Sequence, residues 1–514
     1  MGVPDSYFYL YRVFIRQKRN KSGVVSIQII DKSSGHYKVY KTIGSSSSQL
    51  EIDKLVIKAK KYLVNLQGLQ EIDFSNTNDF IESVLDNIIS HKLAGINLVL
   101  GKIFDEIGFN QIKDELFKTL VLYRLVYPKS KLKTAEYLYR YEQKEYSEDE
   151  IYRYMDKLHS SQKELVQRIS YQHTRQVLGD DVSIVFYDVT TVYFEIDNED
   201  ELRKTGFSKE GKHQNPQIVL GLLISKNGYP LAYDIFEGNK YEGKTMLPII
   251  DTFKGKYQLK QLVIVADSGL LSNENIKELQ SKQYEFILGA RIKNETQRIK
   301  DKILDLKLEN GQSEVIKKGD LRLIITYSDK RAKKDEYNRK KGLEKLEKQI
   351  KTGKLTKANI NNRAYNKYLK LEGEIKIVLD EEKYEQDAKW DGLKGYLTNA
   401  KLNKNQVLEN YNHLWQIEKA FRVSKTDLKI RPIFHRLQKR IEAHICLNFV
   451  AYKIYKELER QLDLKKSNLS PEKVIEIVQS IYSVEVKNPK NQEIIRKTLL
   501  LTEEHQIISE LFNF

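Results

Sequence analysis

The chain has 514 residues, 40% hydrophobic and 31% charged, a globular composition too long for one simple core and too apolar for disorder. Its 87 Lys and Arg outnumber 71 Asp and Glu for a net charge of +16, pointing to a polyanionic partner, with nucleic acid first. The alternative is a lysine-rich surface that only keeps the protein soluble. Cys446 is the single cysteine, which excludes an intramolecular disulfide and a Cys-cluster zinc site.

Residues 1–20 lack the apolar core and cleavage site of a signal peptide, and the apolar run 443–452 is too short to span a bilayer. A soluble cytoplasmic protein with no membrane partner is expected. Residues 7–45 alternate like strands, with runs at 24–30 and 36–43 around the turn-forming segment 31–35. A lysine-rich helix follows over 49–65. Residues 76–178 read as a helical block, in which Ser147-Glu-Asp-Glu150 fits a capping box. The helix before it, 130–141, carries Lys131, Lys133 and Arg140, and the pair can form a helix-turn-helix for a major groove. Ordinary helix packing is the alternative. The block 1–178 is the expected DNA-end recognition region, divided into a β-hairpin/helix region (1–75) and a helical DNA-binding region (76–178).

The centre is more specific. Residues 181–195 hold a nearly continuous apolar run, expected of a strand covered on both faces. Strands at 217–225 and 229–237 are joined through Asn227-Gly228, a hairpin signal. Helices are expected over 245–253 and 272–281, and strands over 261–266 and 284–292. Strand, strand, strand, helix, strand, helix, strand is the order of a ribonuclease-H-like α/β core. Residues 294–403 break that rhythm: strands at 313–327, a lysine-rich helix at 330–366 and strand-like alternation at 374–399 read as an inserted β-rich and helical subdomain. The core, 179–293, resumes over 404–462, and a helical tail takes 463–514.

Residues 404–435 read as one long helix ended by Arg431-Pro432. Tyr411, Glu418 and Lys425 are seven apart and share a stripe on it. A fortuitous charge stripe on a surface helix is the alternative. Asp188 closes the apolar run of the first core strand and Asp267 that of the fourth. An aspartate there needs a partner, because an unpaired buried charge is costly. If the two strands are neighbours, the carboxylates emerge together and repel unless a cation neutralises them. Hard oxygen ligands favour Mg²⁺ or Mn²⁺, and Glu418 supplies a third. Two such ions can serve phosphoryl transfer without a general base. Strand-end caps are the alternative for each aspartate taken alone.

Tyr187-Asp-Val-Thr190, Gly206-Phe-Ser-Lys-Glu-Gly-Lys212, Val265-Ala-Asp-Ser-Gly269 and Ile417-Glu-Lys-Ala-Phe-Arg422 resemble segments of the DDE transposases of bacterial insertion sequences. Arg431-Pro-Ile-Phe-His435 and Arg440-Ile-Glu-Ala-His444 extend the likeness. The branch it resembles has a β-rich insertion before the catalytic Glu and a Tyr-Arg-Glu-Lys signature, in which the arginine position is here Leu414 and Arg422 is a candidate substitute. The resemblance implies a triad of Asp188, Asp267 and Glu418 holding divalent metal, and cut-and-paste recombination by 3′-hydroxyl attack. It implies that Tyr411, Lys425 and Arg422 grip DNA phosphates. The resemblance also makes Trp390 the candidate to stack on a flipped base (core packing being the alternative), and Lys209, Lys212 and His213 are candidates to contact the transferred strand. The implied partners are double-stranded DNA, as element ends and target, and a second copy in a homodimer on DNA; in the cell the protein would sit on the bacterial nucleoid. A catalytically retired DNA-binding derivative and a nuclease of the same fold without strand transfer are the rival readings.

Overall fold

A computed structural model of the protein describes residues 13–66, 81–179, 182–208, 211–270, 272–356, 359–361, 364–372, 376–488 and 491–514. The chain divides into two compact units, Met1–Ile89 with Glu485–Ile495, and Ser90–Val484 with Arg496–Phe514.

In the first, β1 (Val13–Arg19), β2 (Val25–Asp31) and β3 (Lys38–Ser46) form an antiparallel sheet covered by α1 (Gln49–Leu66). Ile27 of β2 is buried against Ile52 and Ala59 of that helix. The turn after β2 is closed by Asp31, whose carboxylate accepts from the Ser33 backbone N–H at 2.7 Å.

The chain then runs through β4 (Ile88–Leu93), α2 (Lys102–Ile107), α3 (Glu115–Val126), α4 (Lys131–Glu142) and the long α5 (Glu148–Val177). The expected capping box opens α5: Ser147 accepts from the Glu150 N–H, and Glu150 accepts from the Ser147 N–H. On α4, Lys131 is only 4% exposed. Lys133 and Arg140 of the same helix face outward.

An eight-stranded sheet organises the second unit. Its strands are β5 (Ile184–Tyr193), β6 (Gln217–Ser225), β7 (Pro230–Glu237), β8 (Val263–Ala266), β9 (Glu285–Ala290), β10 (Ser313–Lys318), β11 (Leu321–Tyr327) and, after the separate pair β12 (Leu369–Glu372) and β13 (Lys376–Leu379), β14 (Leu393–Thr398). The order is β10-β11-β14-β9-β8-β5-β6-β7. β5, β8 and β9 pair in parallel and the rest antiparallel. α6 (Met246–Tyr257) and α7 (Asn273–Ser281) are the crossovers that parallel pairing demands. Their apolar residues cover one face with Tyr187, Ile264 and Leu288. The other face, with Phe186, Val265 and Ile287, packs on the helices that follow β14.

Four expectations change. The strands of 313–327 and 393–398 do not form a sheet of their own; they continue the core sheet through the β14–β9 pairing. Beyond α8 (Gln297–Leu304) and α9 (Asp329–Lys351), the stretch read as alternating strand contains a helix, α10 (Glu381–Ala388), because Asp380 caps it by accepting from the Lys383 N–H. The long helix over 404–435 is two, α11 (Lys404–Asn412) and α12 (Trp415–Thr426), which stops well before Pro432. α13 (Gln438–Leu464) is the buried spine: Lys453, 0% exposed, donates to the Ser170 carbonyl at 3.1 Å and to Thr174 Oγ1 at 2.6 Å on α5. The tail is not all helical. α14 (Pro471–Val478) and α15 (Glu503–Phe512) flank strands Tyr482–Lys487 and Ile494–Leu499.

Candidate active site

The register of β5 against β8 pairs Phe186 with Val265 and Tyr187 with Ala266. The next residues on the two strands are Asp188 and Asp267. Neighbouring strands lie about 4.8 Å apart, so the two aspartates stand side by side, Asp188 midway along β5 and Asp267 just past the end of β8. Asp188 is half-buried, and one of its carboxylate oxygens accepts from the Val189 N–H at 2.8 Å. Asp267 is exposed.

Over the same corner lie α11 and α12. Tyr411, 4% exposed near the end of α11, donates its hydroxyl to Asp267 Oδ1 at 3.2 Å. Gly289 on β9 makes that reach possible: a Cβ there would stand 2.5 Å from the tyrosine oxygen. Burial, then Asp267, Tyr396 and Glu418, push the Tyr411 hydroxyl above its usual range, so it is a neutral donor. Glu418 is exposed in the first turn of α12, held there by the buried Ile417, Ala420 and Phe421.

Sequence reasoning missed Lys394 of β14. Its ammonium stands 4.6 Å from the Tyr411 ring and 5.3 Å from the Tyr396 ring. Burial and the Arg331 guanidinium lower its pKa, while Asp267 and Glu418 oppose that shift. One cation thus feels both carboxylates. Among the described residues no group of three His, Cys, Asp or Glu side chains stands close enough together to hold a metal ion. The donor set, hard carboxylate oxygens beside a tyrosine hydroxyl, nevertheless fits an oxygen-seeking divalent ion and not a thiophilic one.

The family model for the transposase DDE domain matches residues 181–454, just over half of the chain, and spans all three carboxylates. The chain belongs to the transposase DDE domain family. It is a DDE-type transposase, and enzymes of this family use divalent metal ions. No curated protein matches the transposase. Among solved structures it is similar to the piggyBac transposase in its synaptic complex with hairpin DNA, seen by cryo-electron microscopy. That pair shares 10% identity over 75% of this chain and 76% of that one, at a TM-score of 0.37.

Beside the carboxylate corner of the transposase opens a cleft of about 550 Å³ that includes Ser268, next to Asp267. Its lining carries six basic side chains (Arg291, Lys293, Arg331, Arg339, Lys367 and Lys394) against Asp335, Asp387 and Asp391. Asp387 is tied to Lys293 and Lys367, each at 2.5 Å, and Asp391 to Arg339. Trp390, half-buried, forms part of the wall while also packing against the core.

The other expected residues are dispersed. Leu414 is buried just ahead of α12, Arg422 is exposed one turn beyond Glu418, and Lys425 is half-buried at the end of the same helix. Lys212 is exposed, its ammonium 5.4 Å from the Tyr193 ring. His213 is exposed and accepts from the Ser208 N–H at 3.2 Å. Lys209 lies outside the described residues. The only signals for Lys394, Arg331 and Arg291 in the sequence are isolated basic residues beside apolar runs, too common to single them out.

Proposed function

We propose that this transposase binds the terminal inverted repeats of its own element, cleaves the ends and joins their 3′-hydroxyls to target DNA. We assign its core to the ribonuclease-H-like fold, supported by the strand order β7-β6-β5-β8-β9 with the first three antiparallel and the last three parallel. Asp188, Asp267 and Glu418 would hold Mg²⁺ or Mn²⁺, as two ions. Bound there, such ions make a water or 3′-hydroxyl nucleophilic and stabilise the leaving oxygen in line with it. The side-by-side placement of Asp188 and Asp267 beneath the helix pair that carries Tyr411 and Glu418 carries this reading.

The chain's own groups then divide the work. Tyr411 holds the Asp267 carboxylate in one orientation by hydrogen bond. The basic cleft receives the DNA strand, with Lys394 and Arg331 on its phosphates and the Trp390 indole against an unstacked base, a contact worth about 1–3 kcal/mol. Arg422 and Lys425 grip phosphates along α12, and Lys209, Lys212 and His213 line the path of the transferred strand. Joining two ends needs both in one complex, so a homodimer on DNA follows.

The test is a pair of assays on duplexes bearing the element ends. Asp188→Asn, Asp267→Asn and Glu418→Gln should each bind DNA within a few-fold of the parent while losing metal-dependent nicking and strand transfer. Retained nicking in any of them would remove that residue from the triad. Nicking of intact ends without joining of pre-cleaved ends would make the protein a nuclease instead.

A further inference from the structure

Away from the carboxylate corner, a pocket of about 210 Å³ is lined from four directions: α3, the start of α4, α5, and the segment between α12 and α13 together with α13 itself. Three polar side chains on its wall are more than nine-tenths buried: Arg124 at 6% exposure, Lys131 at 4% and His444 at 5%. Arg124 Nη2 donates to His444 Nδ1 at 3.4 Å, and His444 Nε2 donates to the Ile430 carbonyl at 3.1 Å, so that imidazole is neutral. The Arg124 Nε is buried without a hydrogen-bond partner. The Lys131 ammonium has neither hydrogen bond nor ion pair among the described residues. His435 stands edge-on to His444, with ring centres 5.4 Å apart. Lys129 and Lys429 are exposed at the rim.

The lining contains no acidic residue. Asp156, whose carboxylate acts on His435, is already held by Arg440 in a two-point ion pair of 2.7 and 3.0 Å. Two buried cations without a counter-charge are an arrangement that folding resists, because removing a charge from water is costly unless it is paired. A guanidinium and an ammonium converging on one cavity match the oxygens of a phosphoryl group, and the first turn of α4 adds its positive end.

We propose that this pocket is a phosphate-binding site, and that in the working protein it holds a phosphodiester of the bound DNA strand. The site gives a role to the Arg431–His435 and Arg440–His444 segments, which the carboxylate corner does not use. Burial pushes Arg124 down to about 10 and, with Arg124 beside it, Lys131 well below its usual range. An anion in the pocket would reverse both shifts. The assignment of the anion to DNA rests on the transposase reading; the pocket itself does not.

The experiment is thermal unfolding of the full chain in sodium phosphate and in sodium chloride of matched ionic strength, without DNA or divalent metal. Phosphate should raise the midpoint by several degrees over chloride. Lys131→Met, which keeps the stem and removes the charge, should unfold higher than the parent in chloride and show no phosphate response, while Lys131→Arg should keep it. A parent indifferent to phosphate, or a response that survives in Lys131→Met, overturns the site. Should Lys131→Met not fold, the parent and Lys131→Arg still decide. For the source of the anion, duplex binding is followed against salt. Loss of about one unit of slope in Lys131→Met assigns the pocket to DNA, and an unchanged slope with an intact phosphate response overturns the DNA source in favour of free phosphate. Neither arm depends on cleavage, so the outcome is independent of the Asp188 test.

Discussion

Tyr411 donates its hydroxyl to Asp267 Oδ1 at 3.2 Å across 144 residues of sequence, and this one bond ties the helix after the sheet to the end of its central parallel pair. The tyrosine is buried against Tyr396, with ring centres 4.6 Å apart, so its position is set by packing before any hydrogen bond is counted. A donor held that way restricts the carboxylate to one orientation.

Replacing Tyr411 with Phe keeps the ring and removes the donor. Metal-dependent cleavage should fall about 10–100-fold, the usual cost of losing a group that orients a metal ligand, with duplex affinity unchanged. Cleavage at the parental rate would show that the hydroxyl does not matter to Asp267.

Gly289→Ala attacks the same bond from below. The new methyl would sit 2.5 Å from the tyrosine oxygen and 3.0 Å from the Ser268 backbone nitrogen, so something must move. The expected cost is about 1–3 kcal/mol of stability, as for other overpacked sites, together with a loss of cleavage larger than that of Tyr411→Phe. Combined with Tyr411→Phe, which removes the clashing oxygen, the alanine should cost less than it does alone. Strictly additive effects in that cycle would contradict the contact.

Lys394→Met removes the cation that feels both Asp267 and Glu418. Competition with a divalent ion for those carboxylates disappears, so titration calorimetry with Mn²⁺ should give several-fold tighter binding in the variant. DNA affinity should move the other way, its salt slope falling by about one. Weaker Mn²⁺ binding would mean that the lysine supports the metal site instead of opposing it.

Much of the core is legible in the sequence because its signals are local. Uninterrupted apolar runs mark β5 and β8, Asn227-Gly228 marks the β6–β7 turn, and an aspartate ending each run marks the corner. What fails is what depends on distant partners. Nothing in residues 313–327 or 393–398 says that those strands join β9; that pairing is chosen by Leu397, buried opposite Leu288, and its neighbours. The break at His413 and Leu414 carries no Gly or Pro, since Leu414 is there to be buried. Lys394 is conspicuous only once β14 lies beside α11. Arg124, Lys131 and His444 look like ordinary helix residues until three helices bring them together.

Buried histidines should make the fold acid-sensitive. His173 is 7% exposed, and its pKa is lowered to about 4 by burial and by Lys453, which together outweigh Glu457 at 3.7 Å. His435 is lowered to about 3 by burial, Lys131 and Arg124. Both are neutral in the native state and protonate more readily when unfolded, near the usual 6.5. Their stabilisation is complete above that value and is lost as pH falls through it toward the native pKa values. The free energy of unfolding should therefore be flat above about pH 7 and fall below it, by at most about 1.4 kcal/mol per pH unit for each such histidine. Asp387, which Lys293, Lys367 and Tyr368 hold below its usual range against the effect of burial, adds its own loss only once pH drops under about 4. Urea titrations at stepped pH check this: His173→Gln and His435→Gln should each flatten the decline between about pH 6.5 and 4. A parental slope in both variants would place the acid sensitivity elsewhere.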